Sequence, residues 1–245
     1  MRMSPPAPPG LPRRVAAELV GTAALVTVIV GSGLQAEALS EDVGVALLAN
    51  SLASALGLGV LIVLLGPLSG GHLNPAVTLS EWWARRGEEN APGGREAAAY
   101  CAAQLLGAVS GALLAEAMFG RTPDTWSVST QVRSDPHLLV GEAVATAGLV
   151  LLVVGLRRIG RLALAPVAVA AYIAAAIWFT SSGSFANPAA SVGRALTDSF
   201  TGIAPGSLPG FVGAQLLGTL LGVALATVLY GGRSEPNGPR TRRTG

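Results

Sequence analysis

From Val43 to Gly66 the chain carries no charged residue. Wound as an α-helix at about 1.5 Å per residue, a stretch of that length covers the roughly 30 Å of a bilayer's hydrocarbon core. Five further stretches share this character: about Val15 to Ala36, Arg95 to Met118, His137 to Leu156, Leu162 to Ser181 and Leu208 to Tyr230, with interiors that hold no charge or a single carboxylate. A soluble domain is about one quarter charged; here charged residues make up 12% and apolar ones 51% of 245 residues, at a mean hydropathy of +0.54. A transmembrane β-barrel would alternate apolar and polar residues in segments of about ten, and these stretches are continuous. The chain reads as an all-α polytopic membrane protein.

Arginine is retained on the cytoplasmic side of inner membranes. All 16 basic residues are arginine, for a net charge of +2, a usage that gives no indication of nucleic-acid binding. With both termini inside, thirteen of them fall inside and only Arg121, Arg133 and Arg194 fall outside. The expected location is a bacterial plasma membrane, with residues 1–14, proline-rich and basic, and residues 231–245, polar, as disordered cytoplasmic tails. The single cysteine, Cys101, excludes an intramolecular disulfide.

Two apolar pieces are too short to span: Asn74 to about Ala84 and Asn187 to about Ser199. Each opens with Asn-Pro-Ala. Asparagine is a strong N-cap and proline is favoured at the first helical position, so each tripeptide reads as the start of a half-helix dipping into the membrane.

The two halves repeat one another. Ala17-Glu18-Leu19-Val20-Gly21-Thr22 answers Gly141-Glu142-Ala143-Val144-Ala145-Thr146, Asn74-Pro75-Ala76 answers Asn187-Pro188-Ala189, and the Ala-Gln-Leu-Leu-Gly of residues 103–107 recurs at 214–218. Repeat one spans about 15–118 and repeat two about 137–230. Three spans per half put the second half upside down relative to the first, an inverted repeat. Irregular backbone at mid-membrane survives only where it lines a cavity or is buried in protein, so the two half-helices meet there from opposite faces. Their positive N-terminal ends and the amides of Asn74 and Asn187 then converge on one point. Such a point passes neutral hydroxylated solutes, repels cations and interrupts a proton wire.

The doubled Asn-Pro-Ala, with Ser69-Gly70-Gly71-His72-Leu73 before the first and Val77-Thr78 after it, resembles the aquaporin and aquaglyceroporin family over nearly all of residues 15–230. The resemblance implies six transmembrane helices plus two re-entrant half-helices, a homotetramer in the lipid bilayer with one pore per subunit, and no cofactor or metal. It makes Asn74, Pro75, Ala76, Asn187, Pro188 and Ala189 the pore centre. Glu18 and Glu142 become acceptors for the re-entrant loops, and His72 a loop anchor or, in a rival reading, a pH gate.

In the family an arginine follows the second tripeptide directly; here that position is Ala190. By the family's spacing from the asparagines, the rest of the selectivity filter falls on Ser54, Ala175 and Ser184. Four small, uncharged residues imply a wide, arginine-free filter open to glycerol-like polyols, urea, metalloid hydroxides and water. Arg194, one helical turn beyond Ala190, either screens cations at the outer mouth or pairs with Asp198 at i, i+4. Phe185 either packs behind the loop or adds bulk to the constriction. The segment Phe185-Ala186-Asn187-Pro188-Ala189, with Leu196 to Ile203 and Pro209-Gly210-Phe211, also resembles bacterial channels of this family found with arsenic-resistance genes, which implies arsenous acid or a methylated arsenical as solute. Trp82 and Trp83 read as interfacial packing, and Gly21, Gly107, Gly111, Gly218 and Gly222 as sites of close helix approach. No nucleophile with a base, metal cluster or nucleotide motif is present, which argues against an enzyme. A strict water channel, a proton-coupled transporter and a structural membrane protein are the rival readings.

Overall fold

The computed structural model describes residues 9–88, 91–121 and 127–231. Eight α-helices stand among them: α1 (Leu11–Leu39), α2 (Val43–Ser69), α3 (Pro75–Ala84), α4 (Gly94–Met118), α5 (Pro136–Arg158), α6 (Ala165–Phe179), α7 (Pro188–Arg194) and α8 (Leu208–Tyr230). Short 3-10 turns, Leu162–Leu164 and Pro205–Ser207, lead into α6 and α8. Six of these helical segments are long and apolar enough to cross a membrane; α3 and α7 are the half-helices. Of the tails expected to be disordered, residues 1–8 and 232–245 lie outside the described residues. Leu11 to Arg14, placed in the first tail by the sequence, instead form the opening of α1. Pro12 favours a helix start, and the Arg14 guanidinium grips the Glu96 carboxylate through two bonds of 2.5 and 2.9 Å.

The packing shows the inversion directly. Helix α1 lies along α4 as α5 lies along α8, α1 meets α7 as α5 meets α3, and α4 meets α7 as α8 meets α3. The long crossings depend on glycine. A methyl group on Gly107 or Gly111 would collide with the carbonyl oxygens of Leu19 or Ala23, and one on Gly218 or Gly222 would come within 2.5 or 2.6 Å of those of Ala143 or Ala147. Absent side chains let backbones approach closely where lipid offers no hydrophobic drive for helix pairing. The lipid-facing surface is apolar, with Val20, Leu56, Val60, Val63, Val144, Val167 and Val228 among its exposed side chains.

Helix α7 stops at Arg194, five residues before the expected Ser199. The segment after it turns back on itself: Ile203 N donates to Arg194 O, Ser129 N to Ala195 O, and Ser199 Oγ lies 2.8 Å from Thr201 Oγ1. Hydroxyl side chains that bond locally compete with the helical ladder, and here they end it.

Candidate functional site

Each re-entrant loop hangs from one buried carboxylate. Glu18 accepts from Ser69 Oγ (2.6 Å) and His72 N (3.0 Å) on one oxygen, and from Leu73 N and Gln104 Nε2 (both 2.7 Å) on the other. Glu142 accepts from Phe185 N (2.8 Å), Ala186 N (2.9 Å) and Gln215 Nε2 (2.7 Å). Gln104 and Gln215 each also donate at 2.9 Å into the neighbouring half-helix, to Thr78 Oγ1 and Ser191 Oγ. A carboxylate buried in the membrane is costly unless its lone pairs are used; here they hold backbone N–H groups that have no helix to join.

The loops place the asparagines. Asn74 caps α3 by accepting from Ala76 N at 2.8 Å, and Asn187 caps α7 by accepting from Ala189 N (3.0 Å) and Ala190 N (3.2 Å). Pro75 and Pro188 occupy the first helical positions. Each asparagine also reaches across the repeat: Asn74 Nδ2 donates to Ala186 O at 2.7 Å, and Asn187 Nδ2 to Leu73 O at 2.9 Å. The accepting residues have left-handed backbones, Leu73 at φ 50° and Ala186 at φ 46°. That conformation is strained for any residue with a Cβ, and it sits directly before each asparagine, where it carries the carbonyl that receives the other asparagine's amide. The second N–H of each amide is left for the adjoining cavity.

One cavity of about 830 Å³ runs past both asparagines, from Glu81, Arg157 and Leu162 at one end, the inner, to Arg133, Arg194 and Phe200 at the other, the outer. Its walls are striped at helical spacing: Leu47, Asn50, Ser54, Leu58 and Ile62 from α2, and Val169, Ile173 and Ile177 from α6. Ser54, Ser184, Ala190, Arg194 and His72 line it as well. Ala175 does not. It lies two residues from both Ile173 and Ile177, about 200° around the helix, and is exposed on the outer face. The count from Asn187 runs along the chain, and the α6 stripe stands two residues away from the counted position. The expected lining position on α6 is corrected accordingly: Ile173 and Ile177 supply the α6 wall of the cavity, and Phe185 lines it too, packed edge-on against Phe211 at 5.2 Å.

The outer end is not free of arginine. Arg194 is buried, donates through Nε to Thr201 O, and sets its guanidinium 3.2 Å from the centre of the Phe185 ring. Asp198 instead accepts from Thr130 N and Oγ1, both at 2.9 Å, and no Arg194–Asp198 ion pair occurs among the described residues. Arg133, from the loop 127–135, also lines the cavity, and its guanidinium lies 5.2 Å from the same ring. Burial lowers its pKa from the ordinary arginine value, against the pull of the Glu142 carboxylate. Nothing in the local sequence marked Arg133 beyond its place among the three outside arginines.

At the inner end Glu81, buried on α3, pairs with Arg157 of α5 at 2.5 Å. A carboxylate within an otherwise apolar half-helix was the available signal for this pair. His72 is tied down on three sides: its backbone N–H goes to Glu18, its Nδ1 lies 3.1 Å from Thr78 Oγ1, and its ring packs edge-on against Tyr100 at 5.4 Å. These contacts make it a loop anchor. The Arg86 guanidinium covers Trp82 and Trp83, at 4.2 and 3.8 Å from the ring centres.

Residues 9–197 match the family model described as major intrinsic protein. The chain is 45% identical to aquaglyceroporin AqpS of Rhizobium meliloti (strain 1021) over 96% of this chain and 95% of that one. It is 30% identical to the probable aquaporin AqpM of Archaeoglobus fulgidus, over 90% and 96% respectively. Its fold matches the X-ray structure of the aquaglyceroporin from Plasmodium falciparum with a TM-score of 0.66, at 19% identity, over 90% of this chain and 96% of that one. With a paired Asn-Pro-Ala centre on an inverted repeat and a family match over most of its length, the chain belongs to the major intrinsic protein family of membrane channels, the aquaporins and aquaglyceroporins.

Proposed function

We propose that the chain is a passive, non-enzymatic channel for small uncharged hydroxylated solutes, of which glycerol is the type, together with water. The observation that carries this reading is the amphipathic outer end of the cavity. Ile173, Ile177 and Phe185 offer apolar surface, while Arg194 offers polar atoms to the same passage. A polyol carries carbon on one side and hydroxyl groups on another, and meets both needs at once. Water uses only the polar side, so a water-only filter has no use for so much aliphatic wall.

Metalloid hydroxides such as arsenous acid belong to the same chemical class, being neutral, compact and ringed by hydroxyls; methylated arsenicals add an apolar face. The small Ala190 leaves room for them. The relative AqpS is named an aquaglyceroporin, which agrees with a polyol-sized path. The working form is a homotetramer in a bacterial plasma membrane with both termini in the cytoplasm. Asn74 and Asn187 act as central donors, Ser54, Ser184, Ala190, Ile177 and Phe185 form the outer filter, and Arg194 stands at its mouth.

The test is uptake by proteoliposomes containing the full chain, compared with empty liposomes. Glycerol and arsenous acid entering well above the empty-liposome rate, and lost in Ala190→Trp, supports the reading. Fast water flux with glycerol at the empty-liposome rate would replace it with a water channel. Solute driven uphill by a pH gradient would replace it with coupled transport.

A further inference from the structure

Three consecutive carbonyls beyond α7 are shared between two arginines. Arg133 takes Phe200 O through Nη2 and Gly202 O through Nε, both at 2.8 Å, while Arg194 takes Thr201 O between them. The two guanidinium groups also share the ring of Phe185, at 5.2 and 3.2 Å from its centre. They come from distant parts of the chain, and both line the outer end of the cavity.

We propose that Arg133 is a specificity-determining residue of the pore. With Arg194 it forms a two-guanidinium screen at the outer mouth that turns cations away and presents hydrogen-bond donors to the oxygens of uncharged solutes. The proposal rests on the reading of this cavity as the solute path.

Neither charge has an ion-pair partner at contact distance among the described residues, although the Glu142 carboxylate attracts both from farther away. Asp198 is engaged by Thr130, and the Glu142 oxygens are taken by Phe185 N, Ala186 N and Gln215. Donors are also left over. The carbonyls of residues 200–202 use Nε and Nη2 of Arg133 and Nε of Arg194, so Nη1 of Arg133 and both Nη atoms of Arg194 have no acceptor among the described residues. Guanidinium carries five N–H donors in a rigid fork and stays protonated. Part of each fork therefore fixes the arginine to the loop, and the rest faces the passage. Low-dielectric walls around a polar mouth focus such a charge. At an effective dielectric of about 20, one unit charge about 10 Å away changes the occupancy of a monovalent cation by roughly tenfold.

Urea and guanidinium are nearly identical in size and shape and differ in charge, so their flux ratio isolates the screen. Proteoliposomes containing the full chain at low ionic strength, where charge is least screened, are given each probe at low millimolar concentration. The wild type should pass urea and hold guanidinium at the empty-liposome rate. Arg133→Gln should raise the ratio of guanidinium to urea entry by about tenfold. Arg133→Lys keeps the charge but loses the fork that spans two carbonyls, and should still exclude guanidinium.

Normal urea flux with guanidinium still excluded in Arg133→Gln would overturn the proposal. So would an Arg133→Lys variant as leaky as Arg133→Gln, because the carbonyl ties would then matter and the charge would not. If Arg133→Gln loses urea flux altogether, Arg133→Lys decides: urea without guanidinium supports the screen, and both probes together overturn it. Wild-type liposomes closed to urea, glycerol and water would overturn the channel reading along with this one, an outcome distinct from the others because they all retain wild-type flux.

Discussion

The side-chain amide of Asn74 lies 2.7 Å from the carbonyl oxygen of Ala186, in the other half of the chain. The reciprocal bond, from Asn187 to Leu73, closes a two-bond clasp between the repeats. Each asparagine thus caps its own half-helix, pins the opposite loop and faces the cavity. Replacing Asn74 or Asn187 with alanine removes a cap and leaves a buried carbonyl unpaired, a loss of about 2–4 kcal/mol. Thermal unfolding in detergent should shift down for either variant, with glycerol flux at least tenfold lower. Because the two bonds form one unit, the double variant should fall short of the summed effects; strict additivity in the melting shifts would show that the clasp is not coupled.

The placement of α6 separates two neighbouring residues. Ile177→Trp fills the passage and should abolish glycerol flux. Ala175→Trp puts the same bulk on the exposed face of the helix and should leave flux within about twofold of wild type, the scale of ordinary surface substitutions. Stopped-flow swelling of proteoliposomes measures both, and block by Ala175→Trp would restore the count made from the asparagines.

Glu142 offers acceptors to three donors at once. Glu142→Gln keeps the shape but turns one acceptor into a donor facing other donors. A cost of about 3 kcal/mol follows from leaving charge-assisted bonds unmade in a buried site, and it should appear as a large drop in melting temperature. Glu18→Gln should behave alike, since Glu18 holds the other loop in the same way. A carboxylate serving as a proton relay would instead give variants with normal stability and altered pH dependence of flux.

Glycines within the helices divide by what surrounds them. Gly111→Val and Gly222→Val drive a side chain into the carbonyls of Ala23 and Ala147, and should prevent assembly of a folded protein, as judged by size-exclusion profile. Gly66→Ala meets nothing within 4 Å and should be neutral, or more stable by about 0.5–1 kcal/mol through reduced backbone entropy.

Much of this architecture was legible in one dimension because the membrane imposes simple rules. A run as free of charge as Val43 to Gly66 can only cross or be buried, Asn-Pro before an apolar run favours a helix start, and three spans per half force the inversion. Glu18, Glu142 and both tripeptides could be paired by eye because they recur in order. Arg133 could not be placed this way, since it has no counterpart in the first half. The ion pair between Glu81 and Arg157 joins residues from different repeats, and the sequence hinted at it only through a carboxylate in an otherwise apolar half-helix.

What the sequence determined by itself was therefore the set of elements and their symmetry, properties set by local hydrophobicity, capping chemistry and repetition. What only the tertiary structure decided was which atoms face the passage. An offset of two residues rotates a helical position by about 200°, and that rotation puts Ala175 on the outer face and Ile177 on the wall. The loop between α6 and Asn187 is held by long-range bonds such as Glu142 to Ala186 and Asn74 to Ala186. No counting along the chain contains them. For the same reason Arg133 joins Arg194 at the outer mouth, both held there by backbone carbonyls at residues 200–202 whose positions exist only once the chain has folded.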